Sequence, residues 1–301
     1  MLDIRQQVLI GSLAIVCALG LACGAGPEEA EAPTVAPEAG PAAAPAATLP
    51  PTEDTAPDAL NASPRHGEWV DVTLPGSVVP ISTWVVYPER SDSAPIVLVI
   101  HEIYGLTDWV RGVADRFAAE GFIAVAPDLL SGMGPNGGGT ASLGDRDNVI
   151  ATIRTLEPDE RTRRLNAVRT YALDIPSGNG RLGTVGFCWG GGASFAYAVD
   201  QPELHAAVAY YGTSPTEAAD YARINAPVLG LYGGDDERVN STIARAEEAM
   251  AGGGTSYEPI IYAGAGHGFL RAQEARDGAN KRAAEQAWPR TLAFFREHLG
   301  N

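Results

Sequence analysis

The hexapeptide "GFCWGG" at residues 186–191 ends one apolar run, "RLGTVGF", and opens an alanine-rich one, "GGASFAYAVDQ". A strand that reaches Gly-x-nucleophile-x-Gly and turns at once into a helix makes a sharp elbow, whose central residue must accept strained backbone angles. Gly186, Gly190 and Gly191 leave room for chain segments to pass closely. The central residue is Cys188, where a serine is the commoner occupant. The positive end of the following helix favours a thiolate, so the position suits a nucleophile. The plainer alternative is a buried cysteine packed as a small hydrophobe. A dinucleotide loop is excluded, because its Gly-x-Gly-x-x-Gly fingerprint needs glycine where Cys188 stands.

Around the elbow, short Val- and Ile-rich runs alternate with helical ones. "EWVDVTL" and "ISTWVVYP" read as an antiparallel pair, and "PIVLVIH" (95–101) as a strand buried on both faces. A helix through "VRGVADRFAAEG" and a strand "FIAVAPD" follow, then the glycine-rich stretch 129–144, too long for a simple connection. "DERTRRLNAVRTYAL" and "TIARAEEAMAGGG" read as helices, "HAAVAYYG", "APVLGLYGG" and "SYEPIIY" as strands, and "KRAAEQAWPRTLAFFREHL" as the last helix. The expected fold class is α/β, a mostly parallel central sheet with helices on both faces.

Ligands of such sheets bind outside the carboxyl ends of the strands, which is where the polar residues gather. His101 and Glu102 follow one strand, Cys188 another, Tyr211 a third, Asp235 and Asp236 a fourth, and His267 the last. His267, in "AGAGHGFLR", is the candidate general base; His66, His205 and His298 read as tail or surface residues. Either Asp235 or Asp236, in "YGGDDERV", can orient the imidazole. Nucleophile, acid and histidine in that chain order is the α/β-hydrolase order. His101 and Glu102 lack the second histidine four residues on that a zinc helix needs, and no other spacing suggests ligands, so neither metal nor cofactor is expected.

The leader "MLDIRQQVLIGSLAIVCALGLAC" (1–23) reads as a secretory signal, its apolar core shorter than the ~20 residues of a spanning helix. "LAC" before Gly24 also suits a lipoprotein box with Cys23 lipidated; cleavage and release is the alternative. Residues 24–66 are rich in Ala, Pro, Glu and Thr, with seven acids against Arg65, and read as a disordered tether ahead of one domain, 67–301. A net charge of −16 argues against nucleic acid as a partner, and the expected partner is a small molecule, with membrane contact only through an anchor at Cys23. Beyond the leader Cys188 is the one cysteine, so no disulfide framework is available. A periplasmic or membrane-anchored monomer is expected.

In order, "HEIYGL", "GFCWGG", "AYYG", "YGGDDERV" and "AGHGFLR" resemble the dienelactone hydrolase family over about residues 68–299. The resemblance implies an α/β-hydrolase fold and hydrolysis of a cyclic enol ester through a thioester-type acyl-enzyme. It makes Cys188 the nucleophile, His267 the base and Asp236 the orienter, since the family leaves one residue between the glycine pair and the acid. It makes Glu102 a coupler of substrate binding to thiolate formation, and Arg271 and Tyr211 substrate-binding residues, Arg271 holding a substrate carboxylate. Backbone N–H groups of Ile103 and Trp189 are the implied oxyanion hole. A second family arginine falls before the elbow, with Arg146, Arg154 and Arg161 as candidates.

Overall fold

The structure is a computed structural model that describes residues 47–252 and 254–300. The leader and the tether as far as residue 46 lie outside the described residues.

Eight strands, β1 (Gly67–Val72), β2 (Ile81–Val86), β3 (Ala94–Ile100), β4 (Ile123–Pro127), β5 (Gly178–Phe187), β6 (Ala206–Tyr210), β7 (Val228–Gly233) and β8 (Tyr257–Tyr262), form one sheet in the order β1-β2-β4-β3-β5-β6-β7-β8. β2 runs antiparallel to β1 and β4, and every later pairing is parallel. The described helices are α1 (Ala56–Asn61), α2 (Asp108–Ala119), α3 (Arg146–Ile153), α4 (Pro158–Leu173), α5 (Trp189–Asp200), α6 (Glu237–Asn240), α7 (Ile243–Ala251) and α8 (Ala279–Leu299).

β3 explains the layering. All seven of its residues are buried, as a strand covered on both faces requires. Val97 and Val99 point into a core with Val113 and Phe117 of α2 and Trp288 and Phe295 of α8. Ile96, Leu98 and Ile100 point into the opposite core, with Leu165 and Val168 of α4, Phe195 of α5 and Met250 of α7. Each such side chain removed from water contributes about 1.5–3 kcal/mol. The two cores hold the carboxyl ends of β3, β5, β6 and β7 in line, and the loops leaving them carry the polar residues singled out in the sequence.

Residues 47–66 correct the expected tether. The Pro50 carbonyl accepts from Gln273 Nε2 at 2.9 Å and the Pro51 carbonyl from Trp109 Nε1 at 3.0 Å. Glu53 N–H donates to the Arg271 carbonyl at 3.2 Å. α1 packs on α2 with Ala56 fully buried, and Arg65 donates through Nε to Asp115 at 2.9 Å. The Ala- and Pro-rich composition lacks large apolar groups, but the surface of α2 does not need them. Gly112 presents no side chain there, and a Cβ on it would come 2.7 Å from the Pro51 ring. The packed domain therefore begins by residue 47.

The glycine-rich stretch is also tied down. Asp128 accepts from Thr140 N–H at 2.7 Å and from its hydroxyl at 2.8 Å, and that hydroxyl accepts from Leu106 N–H at 3.1 Å. Met133 and Leu143 pack with Leu130, Val149 and Ile153 against Ile103 and Trp189. The long connection thus backs the turn after β3 and the start of α5.

Candidate active site

Cys188 lies between β5 and α5 at φ 55°, ψ −115°, in the left-handed half of backbone space that a residue with a side chain rarely adopts. Its N–H donates to the Tyr210 carbonyl at 3.0 Å, which ties the turn to β6. The elbow closes only because its neighbours are glycines: a Cβ on Gly186 would stand 1.9 Å from the Gly190 carbonyl oxygen, and one on Gly190 2.3 Å from that of His101. The thiol is partly exposed at the head of α5.

β7 delivers Asp236 to the N-terminus of α6, where the N–H groups of Val239 and Asn240 donate to its carbonyl. The turn after β8 delivers His267, and is fixed to α8 by the Gly266 N–H, which donates to Asn280 Oδ1 at 2.9 Å. His267 Nδ1 lies 2.5 Å from Asp236 Oδ2, and the carboxylate is almost fully buried. Of the two adjacent acids, the structure selects Asp236. Asp235 is exposed and pairs with Arg276 at 2.5 Å. Burial lowers the imidazole pKa, but the Asp236 hydrogen bond and the thiol of Cys188 outweigh it and raise the group to about 9.

Glu102 is buried under the same site. Burial raises its pKa, while Arg271, His267 and the Tyr211 hydroxyl oppose that rise. Arg271 Nε is 2.8 Å from Glu102 Oε2, an ion pair whose geometry is not that of a directed hydrogen bond. The guanidinium also pairs through Nη1 with Glu53 of the N-terminal arm, and Arg146 pairs with the same carboxylate. Both arginines lie over the Tyr104 ring, at 4.6 Å for Arg146 and 5.3 Å for Arg271. Of the candidates for a second arginine, Arg146 is the one brought to Arg271. Neither Glu53 nor this contact was legible in the sequence: one acid in an acidic stretch carries no local signal.

Tyr211 corrects another expectation. Its ring is fully buried, at φ 39°, edge-on to His267 at 5.1 Å and packed on Phe269. It supports His267 and Glu102 from within the core and offers no surface to a substrate. His101 is buried too, with its pKa lowered by burial. As a neutral ring it donates through Nδ1 to the Glu102 carbonyl at 2.8 Å and accepts through Nε2 from Leu129 N–H at 3.2 Å, which fixes its tautomer. It stacks on Trp189 at 5.6 Å and so holds the turn 102–105 against the elbow.

Ile103 and Trp189 line, with Cys188, a cavity of about 590 Å³. Among the described residues neither backbone N–H has a hydrogen-bond acceptor. Two such donors beside a nucleophile can accept a developing oxyanion. No cluster of three potential metal ligands occurs among the described residues.

A sheet of this order, with thiol, carboxylate and imidazole on the loops after β5, β7 and β8, defines an α/β-hydrolase. The dienelactone hydrolase family model matches residues 81–299, and the chain belongs to that family. An Escherichia coli protein named for carboxymethylenebutenolidase activity is 33% identical over 226 residues, covering 71% of this chain and 81% of its own. A Salmonella typhimurium protein of the same name is 32% identical over 241 residues, covering 76% and 87%. A crystal structure from Klebsiella pneumoniae, of a protein named for dienelactone hydrolase activity, superposes with a TM-score of 0.67 at 27% identity, covering 77% of this chain and 98% of that one. The chain is a hydrolase of the carboxymethylenebutenolidase type.

Proposed function

We propose that the protein cleaves a small ester or lactone, of dienelactone type and bearing a carboxylate, through an acyl-enzyme on Cys188. The observation that carries this is a strained, partly exposed thiol that helps to raise the pKa of an imidazole held 2.5 Å from a buried carboxylate. The Cys188 sulfur, its proton passed to His267, attacks the carbonyl carbon, and the carbonyl oxygen takes the negative charge beneath the N–H groups of Ile103 and Trp189. Collapse breaks the C–O bond, and His267 hands its proton to the leaving oxygen. In a lactone that oxygen stays attached to the acyl group. Acylation removes the thiol that helped to raise the imidazole, so the ring is better able to take a proton from water in the second half-reaction. That water releases the acid and restores the thiol.

The raised imidazole predicts a pH profile. Acylation needs the ring protonated, and a group at about 9 loses its proton as pH rises through that value. kcat/KM for a neutral ester is therefore expected to fall above about pH 9, not above the ordinary histidine range. In Asp236→Asn the limb moves to lower pH, because the strongest raising partner is gone. An unmoved limb in that variant would show that another group titrates.

Glu53 bears on the substrate. It already satisfies Arg146 and Arg271, so a substrate carboxylate reaching Arg271 competes with it. This favours, as a second reading, a broader carboxylesterase or thioesterase with the same triad. One experiment separates them: hydrolysis of an acidic lactone and of its methyl ester by the wild type and by Glu53→Gln. Freeing the arginines is expected to lower KM for the acid about tenfold relative to the methyl ester, in keeping with a charge-assisted hydrogen bond. An unchanged ratio would remove the carboxylate from the proposal, and no hydrolysis of either compound would reduce the protein to a binding protein on this scaffold. We further propose that the leader exports the enzyme, with Cys23 as a lipid anchor or the chain released, and that it acts as a monomer.

A further inference from the structure

The described arginines sort by what they touch. Most pair with a carboxylate, among them Arg146, Arg163, Arg223 and Arg271. Arg181, Arg245 and Arg282 donate instead to backbone carbonyls. Arg154, Arg161 and Arg238 do neither: among the described residues their guanidinium groups have no hydrogen bond and no ion pair. All three line the cavity onto which Cys188 opens.

They arrive from separate elements, Arg154 from the end of α3, Arg161 from the first turns of α4 and Arg238 from α6. No aspartate or glutamate shares the lining, whereas the hydroxyls of Thr213 and Thr216 do. Arg161 is largely enclosed, with Nε shut off from solvent and without an acceptor, and burial pulls its pKa down with only Asp200 opposing. A guanidinium left in that state is costly unless something else completes it. A chain of net charge −16 has abundant carboxylates to pair with these groups, and it pairs most of the other described arginines. The contrast is clearest in a second cavity, of about 570 Å³ along α4, where Arg163 and Arg223 are neutralised by Glu160, Asp200 and Asp220. Arg146 and Arg271, already held by Glu53, do not line the cavity at Cys188.

We propose that Arg154, Arg161 and Arg238 form an oxyanion subsite beside Cys188 that takes a multiply charged group of the substrate, a phosphate dianion or a polycarboxylate. Three forks with no internal acid exceed what one carboxylate neutralises, and guanidinium groups suit the paired oxygens of both chemistries. The subsite deepens the hydrolase proposal, on which it rests for the position of the ester bond.

Calorimetric titration of Cys188→Ala protein with inorganic phosphate, tricarballylate and acetate tests it, with wild-type hydrolysis of a neutral aryl ester measured in parallel. Phosphate or tricarballylate is expected to bind at least tenfold more tightly than acetate, and the tighter of the two names the chemistry. The double variant Arg161→Gln, Arg238→Gln in that background is expected to lose at least tenfold. Arg154→Gln with Arg238→Gln, both at exposed positions, gives the same comparison without disturbing the enclosed Arg161. Binding no tighter than that of acetate, or equal in the variants, overturns the subsite even where the neutral ester is hydrolysed. Binding that depends on the arginines supports the subsite, and absent ester hydrolysis then counts against the hydrolase proposal alone.

Discussion

Cys188→Ala is expected to lose hydrolysis by ~10⁵-fold or more in kcat while remaining folded, since removing a nucleophile from a triad costs about as much as removing the whole triad. The substitution leaves the elbow otherwise unchanged. Alanine keeps the Cβ that already tolerates φ 55°, and the close passes of Gly186 and Gly190 do not involve the sulfur. A partly exposed thiol also carries little of either core, so thermal melting should stay near that of the wild type. Turnover of an aryl ester and a melting curve on one preparation decide the matter. Near-normal turnover would remove Cys188 from the chemistry, and an unfolded variant would assign it to the scaffold.

Asp236→Asn should be the next most damaging change. An asparagine at that place preserves the shape of the contact but donates toward Nδ1, which favours the wrong imidazole tautomer; in a serine triad this costs ~10⁴-fold. A thiol depends less on its base than a hydroxyl does, so ~10²–10⁴-fold is expected here. Asp235→Asn removes only an exposed pair with Arg276 and should alter stability by less than about 0.5 kcal/mol, with activity unchanged. A greater activity loss in Asp235→Asn would contradict the geometry at His267.

Why one acid could be told from its neighbour only by resemblance is a matter of reach. The elbow is local: six residues, a strand before and a helix after, fix where Cys188 stands. The chain order of Cys188, the acid pair and His267 was equally plain, because each follows an apolar strand. Which of two adjacent carboxylates turns inward depends on the start of α6 and on the turn after β8, and these meet only in three dimensions. The arm was missed for a related reason. Composition measures what a segment can bury by itself, whereas Pro50, Pro51 and Ala56 fill a surface prepared by Gly112 and Trp109 far along the chain. Tyr211 follows a strand as the other site residues do, yet its positive φ turns the ring into the core. α3 lies just past the glycine-rich stretch, and its eight residues are too short a run to establish a helical period.

The central claim is that Cys188 carries the acyl group. Rapid acid quenching of wild-type protein during turnover of an aryl ester, followed by peptide mass measurement, tests it most directly. The account predicts one added acyl mass, confined to the peptide containing Cys188, formed at the rate of the initial burst and absent from Cys188→Ala. Sustained turnover with no adduct, or an adduct on any other residue, would contradict it.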